Sequence, residues 1–182
     1  PQYTWQTAYN VKTALCYAIP APAGYKRVSA SAGSFAEWLR FLPTQPKGSK
    51  VMYFNGQEKP YQNLHEAIID IDVGTQDLQQ CADATMRLRA EYLYATKQYP
   101  QIHFNFTNGD LADYAKWREG YAIKIANNHL QWYASSKANS TYPSFKQYMK
   151  QVFMYAGTSS LSKEVKKVAD FSDIQAGDLL IQ

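Results

Sequence analysis

Cys81 is the residue of this chain whose type and position most directly suggest chemistry. Apolar residues recur at helical spacing from Leu78 to Tyr92. Asp77 is the predicted N-cap of this helix, and Gln80 completes a capping box. Cys81 therefore lies near a predicted helix N-terminus, where the helix dipole stabilises a thiolate. It also fits a packed apolar position, because free cysteine is among the most buried residue types. Nucleophile and core residue both stay open. The predicted apolar stripe consists of Leu78, Cys81, Thr85, Leu88 and Tyr92.

A second group of polar side chains lies along the predicted strand 102–109. His103, Asn105 and Thr107 alternate there with apolar residues, so one face of the strand is core and the other is polar. Such a row either faces solvent or lines a cleft, and a cleft makes His103 and Asn105 candidate binding residues. Trp117, further along the chain, is a candidate aromatic residue of the same site.

Composition excludes several classes of protein. A chain of 182 residues with 46% hydrophobic and 19% charged residues is ordinary for one globular domain. The net charge of +4 comes from scattered basic residues, whereas a nucleic-acid-binding protein has a basic stripe with interleaved aromatics. The densest basic run, Lys163–Lys167, is predicted to be a solvated helix face. No apolar run is long enough to predict a membrane span. The 15% aromatic content fits either stacking on sugar rings or core packing.

No metal site or cofactor is predicted. His65, His103 and His129 lie far apart, and no cysteine–histidine spacing typical of a metal site occurs. Cys16 and Cys81 could form at most one disulfide. Nothing in the sequence indicates an oligomeric state.

The predicted elements give an α+β fold, mainly an antiparallel sheet packed on the long central helix that begins at Cys81. Ala67–Val73 is predicted as a largely buried strand that leads into this helix. The other predicted elements are a helix from Ser34 to Leu42, hairpins at Asn55–Gly56 and Asn127–Asn128, helices capped by Asp110 and by Ser144, and a strand from Ala176 to Gln182.

We predict one domain over residues 1–182, of which 1–30 form an irregular N-terminal segment rich in proline. A first residue other than methionine fits either removal of a secretory leader or trimming of the chain. The apolar strand Ala176–Gln182 lacks a following partner strand, which suggests that the chain is truncated there. We expect this strand to lie beside the N-terminus of the Cys81 helix.

Five segments together resemble a family of bacterial exported proteins of uncharacterised function, over about residues 20–182. The resemblance implies export, and therefore a periplasmic or extracellular location. The segments read SFAEWLRFLP, IDIDVGTQDLQQCADATMRLRAEYLY, IHFNFTNGD, VFMYAGTSSLSKE and IQAGDLLIQ.

A second resemblance, to the NlpC-type cysteine peptidases and amidases of the papain-like superfamily, implies chemistry. Members of that family cut peptide bonds in bacterial cell wall and place the nucleophilic cysteine at the start of a core helix, as Cys81 is placed here. The family also has a segment in which leucine and two further residues are followed by glycine, aspartate and leucine. Ile174–Leu180 is similar to that segment. The resemblance implies a papain-like core whose catalytic histidine would fall after Gln182.

The chain departs from that family around its cysteine. The family has aspartate before the cysteine and serine-glycine after it, where this chain has Gln80 and Ala82–Asp83. His103 is not expected to replace the missing histidine. The predicted helix end lies about 24 Å from Cys81, and the six residues from there to His103 span at most about 20 Å. Because His65 lies at the far end of a predicted strand, about 23 Å from the helix, it is not expected to act as the base either.

The sequence therefore supports two main functions for an exported envelope protein. One is a cysteine peptidase or amidase acting on cell-wall peptides through Cys81, incomplete or inactive without its histidine. The other is a non-catalytic module that binds peptidoglycan peptide or glycan through His103, Asn105 and exposed aromatics such as Trp117 or Trp132. A purely structural partner of other exported proteins is a third possibility.

Overall fold

The structure is a computed structural model that describes residues 3–181. Its contacts divide the chain into two compact units. Unit 1 comprises Pro1–Asp77 and Ile174–Leu179, and unit 2 comprises Leu78–Asp173 and Leu180–Gln182. Short helices and short antiparallel strand pairs occur together, which confirms the predicted mixed α+β class. The prediction of one domain over the whole chain stays a prediction.

Unit 1 is built around a group of aromatic side chains near the helix Phe35–Arg40. Ser34 caps this helix by accepting a hydrogen bond from the Glu37 N–H, as its capping box predicts. Trp38 is buried on this helix, and the Tyr3 hydroxyl donates to its carbonyl oxygen at 2.8 Å. The helical elements of unit 1 among the described residues are a 3-10 turn Val11–Thr13, α1 Leu15–Ala18 and α2 Phe35–Arg40. The first two lie within the segment predicted to be irregular, of which Pro1 and Gln2 lie outside the described residues.

The predicted buried strand Ala67–Val73 is wrong. The segment makes one isolated antiparallel bridge, between Thr44 and Ile69, and its end at Val73 is exposed. The ladder stops because Pro43 accepts a hydrogen bond from the Asp70 N–H but has no N–H to return. The Asp70 carbonyl accepts instead from the Trp5 indole N–H at 2.7 Å. The hairpin predicted at Asn55–Gly56 is likewise reduced to one bridge.

Unit 2 contains two separate two-stranded antiparallel pairs. In the first, His103, Phe104 and Asn105 pair with Asp113, Ala112 and Leu111. The second is the predicted hairpin, whose turn places two asparagines at φ of 51° and 62°, as a type I′ turn requires. The elements of unit 2 among the described residues are α3 Cys81–Ala95, a 3-10 turn Tyr99–Gln101, β1 His103–Asn105, β2 Leu111–Asp113, α4 Tyr114–Arg118, β3 Tyr121–Ala126, β4 His129–Ala134, α5 Tyr142–Tyr155, α6 Thr158–Glu164 and a 3-10 turn Phe171–Asp173.

The core of unit 2 is aromatic and lies where α3, α4 and α5 meet the two strand pairs. Much of the high aromatic content of the sequence is therefore used for packing. The predicted single sheet on a central helix does not form in residues 3–181, because the four strands make two pairs. The buried core residues are Met86, Ala90, Leu93, Tyr94, Ile102, Phe104, Phe106, Ala112, Tyr114, Ile123, Phe145, Tyr148, Met149 and Val152.

The helix predicted at Cys81 forms, but a different face of it is buried. Met86 and Ala90 point inward together with the charged residues Arg87 and Glu91, whereas Cys81 is exposed. The charged side chains can be buried because they neutralise each other across one turn, with Arg87 Nε 2.7 Å from Glu91 Oε1. The observed N-cap is Gln80, not the predicted Asp77, and the Gln80 N–H donates to the Asp83 carboxylate at 3.1 Å.

Two further predicted caps are displaced by tertiary hydrogen bonds. Asp113, not Asp110, caps α4 through its carboxylate, because the residues between them pair with β1 as β2. Thr141, not Ser144, precedes α5. Ser144 is buried, and its hydroxyl accepts from the indole N–H of Trp117.

The predicted strand Ala176–Gln182 has no strand structure in residues 176–181, and Gln182 lies outside the described residues. Gly177 adopts a φ of +107° and Leu180 is 91% exposed. The predicted position of this segment beside α3 stays a prediction. In the predicted solvated helix face Lys163–Lys167, all three lysines are exposed, although α6 already ends at Glu164. Among residues 3–181, no helix has the length and apolar character needed to cross a bilayer.

Candidate functional site

Cys81 is the first residue of α3, and its thiol is free and exposed. Cys16 is also free, and it is half-buried. Asp83 lies in the first turn of α3 and is 9% exposed, and burial raises the pKa of its carboxyl group. The Asp83 carboxylate therefore already occupies the positive end of the helix dipole that would activate the thiol.

Neither histidine of unit 2 is hydrogen-bonded to the Cys81 thiol. His103 is exposed on β1 and forms no hydrogen bond with a described residue. His129, at the start of β4, has its Nδ1 atom 3.2 Å from the Asp110 carboxylate. A thiol without a base keeps only the effect of the helix dipole, whereas a positioned base contributes about 10²- to 10⁴-fold to a rate.

The outward face of the β1–β2 pair brings together two of the predicted binding residues. Strand alternation buries Phe104 on the inner face and places His103 and Asn105 on the outer face. Asp113 lies directly opposite His103 across the strands. The side chains of His103 and Asn105 make no hydrogen bond to any residue in the described part of the chain. They are therefore available to a ligand.

Glu164, the last residue of α6, adjoins this face at the open edge of β1. Its Oε1 atom accepts a hydrogen bond from the backbone N–H of Asn105 at 2.5 Å, which covers the open edge of β1. Complete burial raises the pKa of the Tyr148 hydroxyl, and the nearby carboxylates of Asp113 and Glu164 raise it further. We call His103, Asn105, Asp113 and Glu164 the β1–β2 polar face.

Trp117 was predicted to offer an exposed ring to a ligand, but its ring packs against other residues of the fold. It is half-buried on α4, and its indole N–H donates to the Ser144 hydroxyl at 3.0 Å. Its ring meets the Tyr148 ring edge-on, with 6.0 Å between centroids. These contacts join α4 to α5. Trp132, the other aromatic considered, lies 5.5 Å from the ammonium group of Lys116.

Asp113 and Glu164 were missed from the sequence because neither lies in a motif. Asp113 reaches the β1–β2 polar face only through the strand register, and Glu164 only through the docking of a helix more than fifty residues further along the chain. The alternation within 102–109 was the one local signal, and it identified His103 and Asn105.

A second polar cluster lies where the connection between β1 and β2 approaches the turn between β3 and β4. The Asp110 carboxylate accepts hydrogen bonds from the Leu130 N–H at 2.6 Å and the Asn108 side chain at 2.7 Å. These bonds and the His129 contact lower the pKa of Asp110. The acceptors of this carboxylate are used within the fold, so the cluster fixes the hairpin turn.

No group of three or more His, Cys, Asp or Glu side chains in residues 3–181 is arranged to hold a metal ion. Comparison with curated proteins gives no match, and comparison with solved structures gives none. The family model described as Domain of unknown function (4846) matches residues 15–182. This match covers most of the chain, in agreement with the sequence resemblance to an uncharacterised family. The chain therefore belongs to the family of Domain of unknown function (4846).

Proposed function

We propose that unit 2 is a non-catalytic module that binds a glycan or peptide of the bacterial envelope on the β1–β2 polar face. The observation that carries this proposal is that His103 and Asn105 share one outward face and use neither side chain within the described fold. Sites for sugars and peptides combine a few convergent hydrogen-bonding groups of this kind. The exported, periplasmic or extracellular location is part of the same proposal.

The four side chains offer complementary chemistry to such a ligand. Asn105 provides an amide that donates and accepts, and His103 provides an imidazole that does the same. Asp113 and Glu164 add carboxylate oxygens that accept from hydroxyl or amide groups. Because β1 and β2 are tied by backbone pairing and Glu164 caps the edge, these groups are held by regular structure.

The experiment is a titration of the full chain with a soluble peptidoglycan fragment that carries both disaccharide and stem peptide, followed by amide NMR. We expect the largest shifts at the β1–β2 polar face. His103→Ala and Asn105→Ala should each weaken binding about fivefold to tenfold, the value of one hydrogen bond. The matched control is Gln131→Ala, a truncation of an exposed side chain on β4, which should leave binding unchanged.

Two results contradict this proposal. If the fragment causes no saturable shift at the β1–β2 polar face, this face is not its binding site. If the fragment is hydrolysed by the wild type and not by Cys81→Ala, the protein is an enzyme. The cysteine peptidase or amidase with a papain-like core stays the second candidate, because Cys81 is exposed at the N-terminus of a 15-residue helix.

A further inference from the structure

Arg118, at the end of α4, is a cation fixed in place without an acidic partner. Its guanidinium carbon lies 4.1 Å from the centroid of the Tyr99 ring, a close stacking arrangement. The side chain is half-buried, and its Nε atom is buried without a hydrogen-bond acceptor. None of residues 3–181 forms an ion pair with it. The other buried arginine of unit 2, Arg87, is paired with Glu91.

Tyr114 lies one turn before Arg118, on the same face of α4. It is 0% exposed, and its hydroxyl has no hydrogen-bond partner among the described residues. The hydroxyl groups of the other buried tyrosines, Tyr3, Tyr94 and Tyr148, each donate to a backbone carbonyl at 2.8 Å. Tyr114 is therefore the exception among the buried tyrosines of residues 3–181.

Tyr99 brings the two unpartnered donors together. The Tyr114 ring meets the Tyr99 ring edge-on at 6.0 Å, and Arg118 stacks on the same ring. Burial and the neighbouring Tyr94 raise the pKa of Tyr114, while the charge of Arg118 lowers it. A neutral hydroxyl and a guanidinium can both donate to one acceptor.

We propose that Tyr114 and Arg118 form a binding site for one oxyanion, a carboxylate or phosphate group. Such an ion satisfies the buried Arg118 Nε–H and the Tyr114 hydroxyl at once, with charge-assisted hydrogen bonds. Because the Arg118 side chain is half-buried and Tyr114 is fully buried, Arg118 supplies the outer donor and Tyr114 the inner donor. This site uses no residue of the β1–β2 polar face, so it stands or falls independently of the function proposed above.

The distribution of charge favours anions at this unit. Residues 78–173 contain 12 Lys or Arg and 8 Asp or Glu, whereas the remaining residues contain 7 of each. The formal net charge of +4 therefore belongs to unit 2. A net positive field raises the local concentration of small anions around the site.

The test is an NMR titration of the full chain with inorganic phosphate and, separately, with acetate, observing the Arg118 Nε–H resonance where arginine is present and the backbone N–H resonances of α4 in the wild type and every variant. We expect a saturable shift with at least one anion, and the stronger response distinguishes phosphate from carboxylate chemistry. Arg118→Gln should weaken binding about tenfold or more, and Tyr114→Phe about fivefold, as expected for a charged and a neutral hydrogen bond. Lys124→Gln, which removes the same charge from an exposed position on β3, should leave binding unchanged.

A stability measurement keeps the proposal testable without any ligand. In buffer free of phosphate and carboxylate, Tyr114→Phe should not lower the midpoint of urea unfolding, because the hydroxyl has no partner to lose. Tyr148→Phe, the matched control, should lower it through loss of the hydrogen bond to the Ala112 carbonyl. A clear loss of stability in Tyr114→Phe, an unresponsive Arg118 resonance, or equal binding by Arg118→Gln each overturns the proposal.

Discussion

Removing one partner of the buried pair of Arg87 and Glu91 on α3 should lower the free energy of unfolding strongly, whereas replacing both partners by apolar residues should change it little. The two side chains are 3% and 0% exposed, and Glu91 Oε1 also accepts from the Tyr142 hydroxyl at 2.8 Å. Glu91→Ala leaves the guanidinium of Arg87 buried without its counter-charge, which should cost about 3–5 kcal/mol of unfolding free energy. The double variant Arg87→Met with Glu91→Leu removes both charges and should lie within about 1 kcal/mol of the wild type.

The assay is urea unfolding followed by far-UV circular dichroism, to which α3 and α5, the longest helices among the described residues, contribute strongly. Arg89→Met, on the same helix at an exposed position, is the matched control and should change stability by less than about 1 kcal/mol. Because Tyr142 is half-buried, its hydroxyl can turn to water in the double variant. A Glu91→Ala cost equal to that of Arg89→Met, or a double variant less stable than Glu91→Ala, refutes this account of the pair.

Three further outcomes test other parts of the structure. Iodoacetamide should alkylate Cys81 faster than Cys16, because Cys81 is exposed and Cys16 is half-buried; equal rates measured by mass spectrometry contradict this. The lowered pKa of Asp110 means that its stabilisation is present above the ordinary value of 3.8 and is lost as the pH falls through the lowered folded value. Asp110→Asn should therefore destabilise at neutral pH and match the wild type in acid, and a difference independent of pH opposes this. Gly109→Ala should lower the free energy of unfolding by about 1–2 kcal/mol, because Gly109 has a positive φ. Gly120→Ala should lower it by about 1–3 kcal/mol more, because a methyl group at Gly120 would also collide with the backbone that follows β4.

The two binding proposals make different demands on the same unit. The β1–β2 polar face offers uncharged and acidic groups, which suit hydroxyl and amide donors. The Arg118 site offers donors alone, which suit an anion. A ligand that carries both hydroxyl or amide donors and an anionic group could bind at both sites. The two sites remain distinguishable, because each titration follows the NMR signals of its own site.

Local sequence patterns predicted the structure correctly where it depends only on neighbouring residues. The apolar residues Ile102, Phe104 and Phe106 predicted the buried side of β1, and all three are buried. Asn127 and Asn128 predicted a hairpin because asparagine tolerates the positive φ that the turn requires. From the same alternation, the sequence identified His103 and Asn105 as lying on one polar face.

Tertiary contacts decided what local patterns could not. The buried face of α3 includes Arg87 and Glu91, and no hydrophobic pattern predicts that two charges will pair and point inward. The predicted strand around Asp70 is lost because its partner in the ladder is Pro43, which cannot donate a hydrogen bond. Strand register likewise brought Asp113 opposite His103, and helix docking brought Glu164 to the backbone N–H of Asn105. The sequence alone determined periodicity and turns, since these depend on residues a few positions apart. Only the folded chain determined which polar groups are paired and which are not, since that depends on contacts between distant segments.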